Sequence, residues 1–417
     1  MKLITLKNGL KVIMEKREDL RSATLGVWVA AGSRYEGESE KGISHFIEHI
    51  VFKGSNKRTA FEIAEGMDAI GASVNAYTTK EYTFFYTKAL DYQIENAAHI
   101  LFDMVKNPKL SDKDIETEKG VIYEEIAMCE DDPYDVCYEL NESGIYEGQS
   151  ISSPILGTKE SLASLKSGDF KRYMKKFYVP ERTVVGICGN FDEEKILSVI
   201  EEYFGKDENT GFTLCEKELT FGECYTLKKR GFEQNHIMIT FEGVGIEHED
   251  LYKLMVCSFI LGSGTSSRLN QRIREELGLV YEISSYLSRF HGGGYICIHM
   301  SLTADSEEKG IAETCKIIKN LSSSLTEKEL SVAKEKLTAS LIMSREQPQS
   351  KLSYLGHCQL FLDKFIEDDD IIEKIRSVTL KDVSEVAEKY LDLKKASFTA
   401  VGNVKDKNFY EGIIKGE

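Results

Sequence analysis

Two histidines one helical turn apart, with a glutamate between them, are the residues best placed to do chemistry: His45-Phe46-Ile47-Glu48-His49. The run around them, Gly42-Ile43-Ser44 before and Ile50-Val51-Phe52 after, is apolar on nearly every side, which is the pattern of a buried helix. At about 100° per residue, Glu48 falls about 60° to one side of His45 and His49 about 40° to the other, so the polar groups share one stripe. Two imidazoles at i and i+4 reach one cation, while a carboxylate at i+3 stands beside it without ligating. A hydrolytic zinc site takes three protein ligands and keeps a position for water, and a neighbouring carboxylate can accept that water's proton.

A third ligand must come from elsewhere in the chain. Ser111-Asp112-Lys113-Asp114 has the form of a helix start, with Ser111 as cap and an acid three residues on, and the helix should run to about Asp131, before Pro133. With Glu118 as zero, Glu125 falls at about −20° and Cys129 at about 20°, close to Ile122, Ile115 and Ile126. Glu124 lies about 120° away and should be solvated. Glu118 and Glu125 therefore face the apolar side, where an uncompensated carboxylate is costly unless a cation or strong donors meet it. A core salt bridge would also satisfy such an acid. Gly120 in the same helix suggests close approach by another element.

The elements that position these residues alternate in type. Residues 10–14 and 23–29 read as strands, followed by the histidine helix and a helix over 59–70. Strands at 72–78 and 82–89 come next, then helices, then a buried strand, Thr183-Val184-Val185-Gly186-Ile187-Cys188, ending in Gly189-Asn190. The order recurs in the second half: a strand at 236–240, a helix at 250–261, strands at 282–288 and 294–302, helices, and a strand from Ala396 closing on Gly402-Asn403. An internal repeat of roughly 200 residues follows, joined between about 205 and 220. The expected fold is α+β, two tandem and structurally similar lobes in which mixed and antiparallel sheets pack with helices. Residues 1–210 would form the lobe with the candidate metal site and 220–417 the second lobe, and a cleft between such lobes is a common place for a binding site.

Composition agrees with a two-lobed globular chain. At 417 residues it exceeds what one core usually supports, with 41% hydrophobic and 29% charged residues. The formal net charge of −16 argues against a nucleic-acid surface, and solubility accounts for it. No stretch approaches a membrane span, and the N-terminus has no apolar leader pattern. Nine scattered cysteines without a C-x-x-C pair fit reduced thiols in a cytoplasm rather than a disulfide framework or a cysteine zinc site.

His45-Phe46-Ile47-Glu48-His49 is the inverted zinc motif, and with the distant Glu125 the chain resembles the insulinase/pitrilysin-type (M16) metallopeptidases. Within them it is most similar to the short bacterial and mitochondrial-processing-peptidase-like branch, from Leu6-Lys7-Asn8-Gly9-Leu10 to Gly402-Asn403. The resemblance implies His45, His49 and Glu125 as ligands of one zinc ion, Glu48 as catalytic base and Glu118 as supporting acid. Gly71-Ala72-Ser73-Val74-Asn75-Ala76-Tyr77-Thr78 resembles the family's edge strand, where Asn75 and Ala76 would pair with substrate backbone. Ser266 to Tyr281 resembles the segment carrying an Arg and Tyr pair: Arg274 would hold a substrate carbonyl and Tyr281 would help stabilise the oxyanion.

For chains this short the family likeness also implies pairing of two chains, identical or related, around a closed chamber that admits peptides. Non-catalytic subunits of this branch often lack the metal residues, and the mitochondrial one carries a long glycine-rich loop; here the metal residues are present and Leu261-Gly262-Ser263-Gly264-Thr265 is short. The expectation is an endopeptidase for peptides or unfolded, presequence-like segments. Its rivals are a binding or assembly subunit without turnover and an inert duplicated structural domain. Asp135 and Glu139 stand where processing peptidases select arginine, and they fit two solvated acids equally well.

Overall fold

The computed structural model describes residues 1–212 and 218–416. The expected join over 205–220 falls partly, and Cys215 wholly, on residues 213–217, which lie outside the described residues.

The chain forms two compact units. The first contains β1 (Lys2–Thr5), β2 (Lys11–Lys16), β3 (Ser22–Val29), β4 (Ser73–Thr78), β5 (Thr83–Leu90) and β6 (Thr183–Gly189). They make one sheet in the order β1-β2-β6-β3-β5-β4. The second contains β7 (Tyr225–Lys229), β8 (Asn235–Glu242), β9 (Val280–Phe290), β10 (Gly293–Leu302) and β11 (Ser397–Gly402), in the order β7-β11-β8-β10-β9.

Apart from β1, which extends the first sheet beyond β2, the two sheets repeat one topology. In each, the last strand inserts between two earlier ones, parallel to one (β6 to β2, β11 to β7) and antiparallel to the other (β6 to β3, β11 to β8). Both inserted strands are buried along their whole length, which explains their near-continuous apolar sequence. Both end on a glycine in the same left-handed conformation, Gly189 at φ +132° and Gly402 at φ +131°. A Cβ there would lie 2.4 Å from the Ser22 carbonyl oxygen or the Asn235 side-chain oxygen, so the glycine of the repeated Gly-Asn is a steric requirement.

Each unit also takes a helix from the other half of the sequence. Helix Pro348–Leu362 packs on β2, β3 and β6, where Leu352 and Leu355 meet Ile13, Trp28, Phe84 and Val184. Helix Pro133–Ile145 packs on β7, β8 and β11, where Val136 and Cys137 meet Met238 and Val401. Each follows a 20-residue helix (Asp112–Asp131 or Glu327–Glu346), and a proline opens each one. The halves 1–210 and 220–417 describe the repeat in the sequence; in the fold, segments Ala127–Ser152 and Met343–Ile366 cross that division.

On the other face of the first sheet, Leu25, Val27 and Phe85 pack with Phe46 and Ile47 of the histidine helix Ile43–Ile50 and with Leu101 and Phe102 of helix Ile94–Lys106. This apolar layer fixes the histidine helix against β4 and β5. Among the described residues, no helix is long and apolar enough to cross a membrane.

Candidate metal centre

The histidine helix begins on a carboxylate. Glu36 accepts the backbone N–H of Gly42 at 2.7 Å and of Ser44 at 2.8 Å, satisfying first-turn donors that would otherwise be buried unpaired. Its own burial pushes the Glu36 carboxyl up to about 7. Ser44 shares a 2.8 Å hydrogen bond with the Tyr173 hydroxyl, and the Phe46 ring meets Phe170 edge-on at 4.8 Å. The helix is held on its apolar sides, and its polar stripe is aimed at one place.

That place is met by helix Asp112–Asp131. Ser111 caps it by accepting the Asp114 N–H at 3.2 Å, as expected from the sequence. Ile115, Glu118, Ile122 and Ile126 form its buried side, and Glu124 is exposed. Glu125 reaches the histidines with both oxygens: Oε1 lies 3.6 Å from His45 Nε2, and Oε2 lies 3.4 Å from His49 Nε2. One donor atom from each of these three residues lies within 4.8 Å of the others. Ligands on a tetrahedral zinc with bonds of about 2.0–2.2 Å stand roughly 3.3–3.6 Å apart; the two approaches of Glu125 are of that size, and two imidazoles with a carboxylate are a donor set that suits the ion.

The surrounding groups orient the ring and set the charge. Glu118 Oε1 lies 3.0 Å from His49 Nδ1, and Glu118 Oε2 forms a 2.7 Å ion pair with Lys53. A carboxylate on the remote nitrogen of a ligating histidine fixes its tautomer and orientation. Nδ1 of His45 has no hydrogen-bond partner among the described residues. Burial, then the neighbouring His49, pushes His45 down to about 4. For His49, burial opposes the charge, but hydrogen bonds with Glu118 and Glu125 outweigh it and raise the ring to about 9. Burial likewise opposes Glu118, but His49 and Lys53 hold it below the usual range; Glu125 is lowered chiefly by His49. The two carboxylates favour a proton on His49, and a cation at Nε2 would compete with it.

Glu48 stands beside this set. Its Oε2 accepts the Thr78 hydroxyl at 2.6 Å, and burial raises its carboxyl while that bond partly offsets the shift. Thr78 ends β4, the outer strand of its sheet, so the far edge of β4 pairs with no strand among the described residues. Asn75 is exposed on that strand, Ala76 is buried, and the Ala76 N–H is occupied by the Asn75 side-chain oxygen at 2.8 Å.

Arg274 and Tyr281 lie in the second unit. Arg274 is near the end of a π-helical turn, Asn270–Glu276, and is about half exposed, 3.9 Å from Glu275. Tyr281 is the second residue of β9 and is 76% exposed. Asp135 and Glu139 are on helix Pro133–Ile145; Asp135 is raised mainly by burial, and Glu139 is exposed.

Two expectations need amending. Gly120 is not approached by any element: a Cβ there meets nothing within 4 Å, and nothing around it requires a glycine. The neighbours of the metal set were also incomplete, since Lys53 and Glu36 were not singled out. Lys53 follows His49 by one helical turn, a spacing that could have flagged it. Glu36 lies in an irregular segment before the helix, where no periodicity points to it.

The chain is similar to known proteins of one family over most of its length. The family described as Insulinase (Peptidase family M16) matches residues 11–159, and the one described as Peptidase M16 inactive domain matches residues 164–337. A Bacillus subtilis (strain 168) protein named uncharacterized zinc protease YmxG is 37% identical over 390 residues, 93% of this chain and 95% of that one. A Mycobacterium leprae protein named uncharacterized zinc protease is 33% identical over 398 residues, covering 93% and 88%. Among solved structures, a protease from Helicobacter pylori superposes with a TM-score of 0.88 at 18% identity over 96% of this chain and 99% of that chain. A chain of complex III2 from Candida albicans gives a TM-score of 0.85 at 21% identity over 99% of both. At these identities the structural likeness speaks to the fold alone.

Proposed function

This chain belongs to the insulinase family of peptidases, family M16, and from that premise we propose that it is a zinc-dependent endopeptidase for peptides or unfolded, presequence-like segments. One observation carries the reading: His45, His49 and Glu125 present convergent donor atoms while Glu48 stands beside them, unused as a ligand. In this reading residues 1–210 are the catalytic lobe and 220–417 complete the chamber.

One zinc ion held by those three residues would supply an activated water and polarise the scissile carbonyl. Glu48 is the general base: it takes a proton from the attacking water and returns one to the leaving amine. Burial raises its carboxyl above the ordinary range, the direction that favours taking up a proton. Glu118 holds the His49 ring through Nδ1. The open edge of β4, at Asn75 and Ala76, aligns the peptide by strand addition, which reads backbone rather than side chains. Arg274 holds a substrate carbonyl and Tyr281 stabilises the oxyanion. The enzyme works in the cytoplasm as a pair of identical or related chains.

A second reading, a non-catalytic peptide-binding or assembly subunit, draws on the likeness to a chain of complex III2. The complete ligand set favours the enzyme. The deciding experiment is metal analysis with a peptide-cleavage assay on wild type and Glu48→Gln. Cleavage by wild type, and its loss in Glu48→Gln with zinc retained, supports the enzyme. Pure wild-type protein that holds no zinc and is not rescued by added zinc favours the assembly subunit.

A further inference from the structure

Glu48 has two carboxylate oxygens, and the fold treats them differently. Oε2 receives the Thr78 hydroxyl at 2.6 Å, the short distance of a hydrogen bond to an ionised acceptor. Among the described residues, no side chain other than Thr78 makes a hydrogen bond to this carboxylate. The Thr78 proton has one strong acceptor. Its cross-strand neighbour Thr83 lies 3.4 Å away, and the Thr83 hydroxyl is itself committed to the Ala31 carbonyl at 2.8 Å. The Thr78 backbone also faces Glu48, so the contact is made by the strand end as well as by its side chain.

Thr78 is two residues from Ala76 on the outermost strand of the sheet, a separation of about 6.6 Å at strand rise. The element proposed to align the peptide backbone is thus the element that grips the base. Both are fixed by one short strand, which is hydrogen-bonded to β5 along its whole length.

We propose that Thr78 is the positioning residue for the base, its hydroxyl locking one oxygen of Glu48 so that the other is presented to the attacking water in register with a peptide lying along β4. This rests on the reading of Glu48 as general base. A carboxylate on a three-bond side chain otherwise rotates, and small misplacements of a reacting group cost large factors in rate.

The test uses Thr78→Val, which keeps the branched shape and the backbone contact but removes the hydroxyl, and Thr78→Ser, which keeps the hydroxyl. Thr78→Val should lower kcat by roughly ten- to a hundredfold with KM changed less than about twofold. Zinc content by metal analysis and the melting temperature should match wild type. Thr78→Ser should recover most of kcat. In a Glu48→Gln background, Thr78→Val should add no further loss, because the two act as one unit. Wild-type kcat in Thr78→Val, a loss confined to KM, or no recovery in Thr78→Ser overturns the proposal. If Thr78→Val does not fold, the Ser variant and the same substitution to Ala carry the comparison. Full turnover in Glu48→Gln alone overturns the base assignment itself, and this inference with it.

Discussion

The carboxylate of Glu118 sits 3.0 Å from Nδ1 of His49, and its other oxygen is neutralised by Lys53 at 2.7 Å. A buried acid is thereby kept charged and turned toward a ring whose opposite nitrogen faces Glu125. Groups of this kind usually tune metal affinity rather than create it.

Glu118→Gln is therefore expected to weaken zinc binding by roughly ten- to a hundredfold without abolishing it. Chelator competition measures this directly. Unchanged affinity would remove Glu118 from the metal's surroundings.

The second unit is expected to contribute to turnover and not to metal binding. Arg274→Ala and Tyr281→Phe should each reduce turnover, Tyr281→Phe by roughly a hundredfold, the usual effect of losing a donor to a developing oxyanion, and Arg274→Ala through misplacement of the substrate carbonyl. Zinc content should stay at the wild-type level. Both side chains are well exposed, so neither change should lower the melting temperature appreciably. Normal turnover in both variants would exclude them from the reaction.

Acid stability should depend on Asp250. Its buried carboxylate accepts Lys253, Lys389 and the Tyr390 hydroxyl, each at 2.9 Å, tying helix Leu380–Tyr390 to the start of helix Leu251–Ser258. Burial alone would raise this carboxyl, but the three donors outweigh it and hold it well below the usual range. A carboxylate whose pKa is lower folded than unfolded stabilises the fold above the unfolded value, near about 4, and loses that contribution as pH falls toward the folded one. Asp250→Asn should cost about 1–3 kcal/mol near neutral pH, and the difference from wild type should shrink below about pH 4. Denaturant melts of both proteins across that range provide the measurement; a gap that stays constant into acid would show that the charge is not responsible.

Strands with a buried face were legible in the sequence: β3, β5, β6, β8, β10 and β11 all follow apolar patterns that packing preserves. β1 and β7 were not read as strands. Both are outer strands with no fully buried residue, so hydrophobic alternation does not mark them. The π-helical turns at Phe259–Ser263 and Asn270–Glu276 were missed because a period-3.6 reading does not separate them from α-helix.

The sequence by itself determined whatever depends on backbone periodicity: His45, Glu48 and His49 on one stripe, Glu118 turned inward two turns before Glu125, and two sheets built to one plan. These follow from 3.6 residues per turn and two per strand repeat, which act over a few residues. Only the tertiary structure decided which oxygen meets which nitrogen. The 3.4 Å approach of Glu125 to His49, the Lys53 ion pair with Glu118, the Thr78 hydroxyl on Glu48 and the helix that each unit takes from the other half of the sequence join segments far apart in the chain. Close packing sets those distances to tenths of an ångström, and no local spacing encodes them.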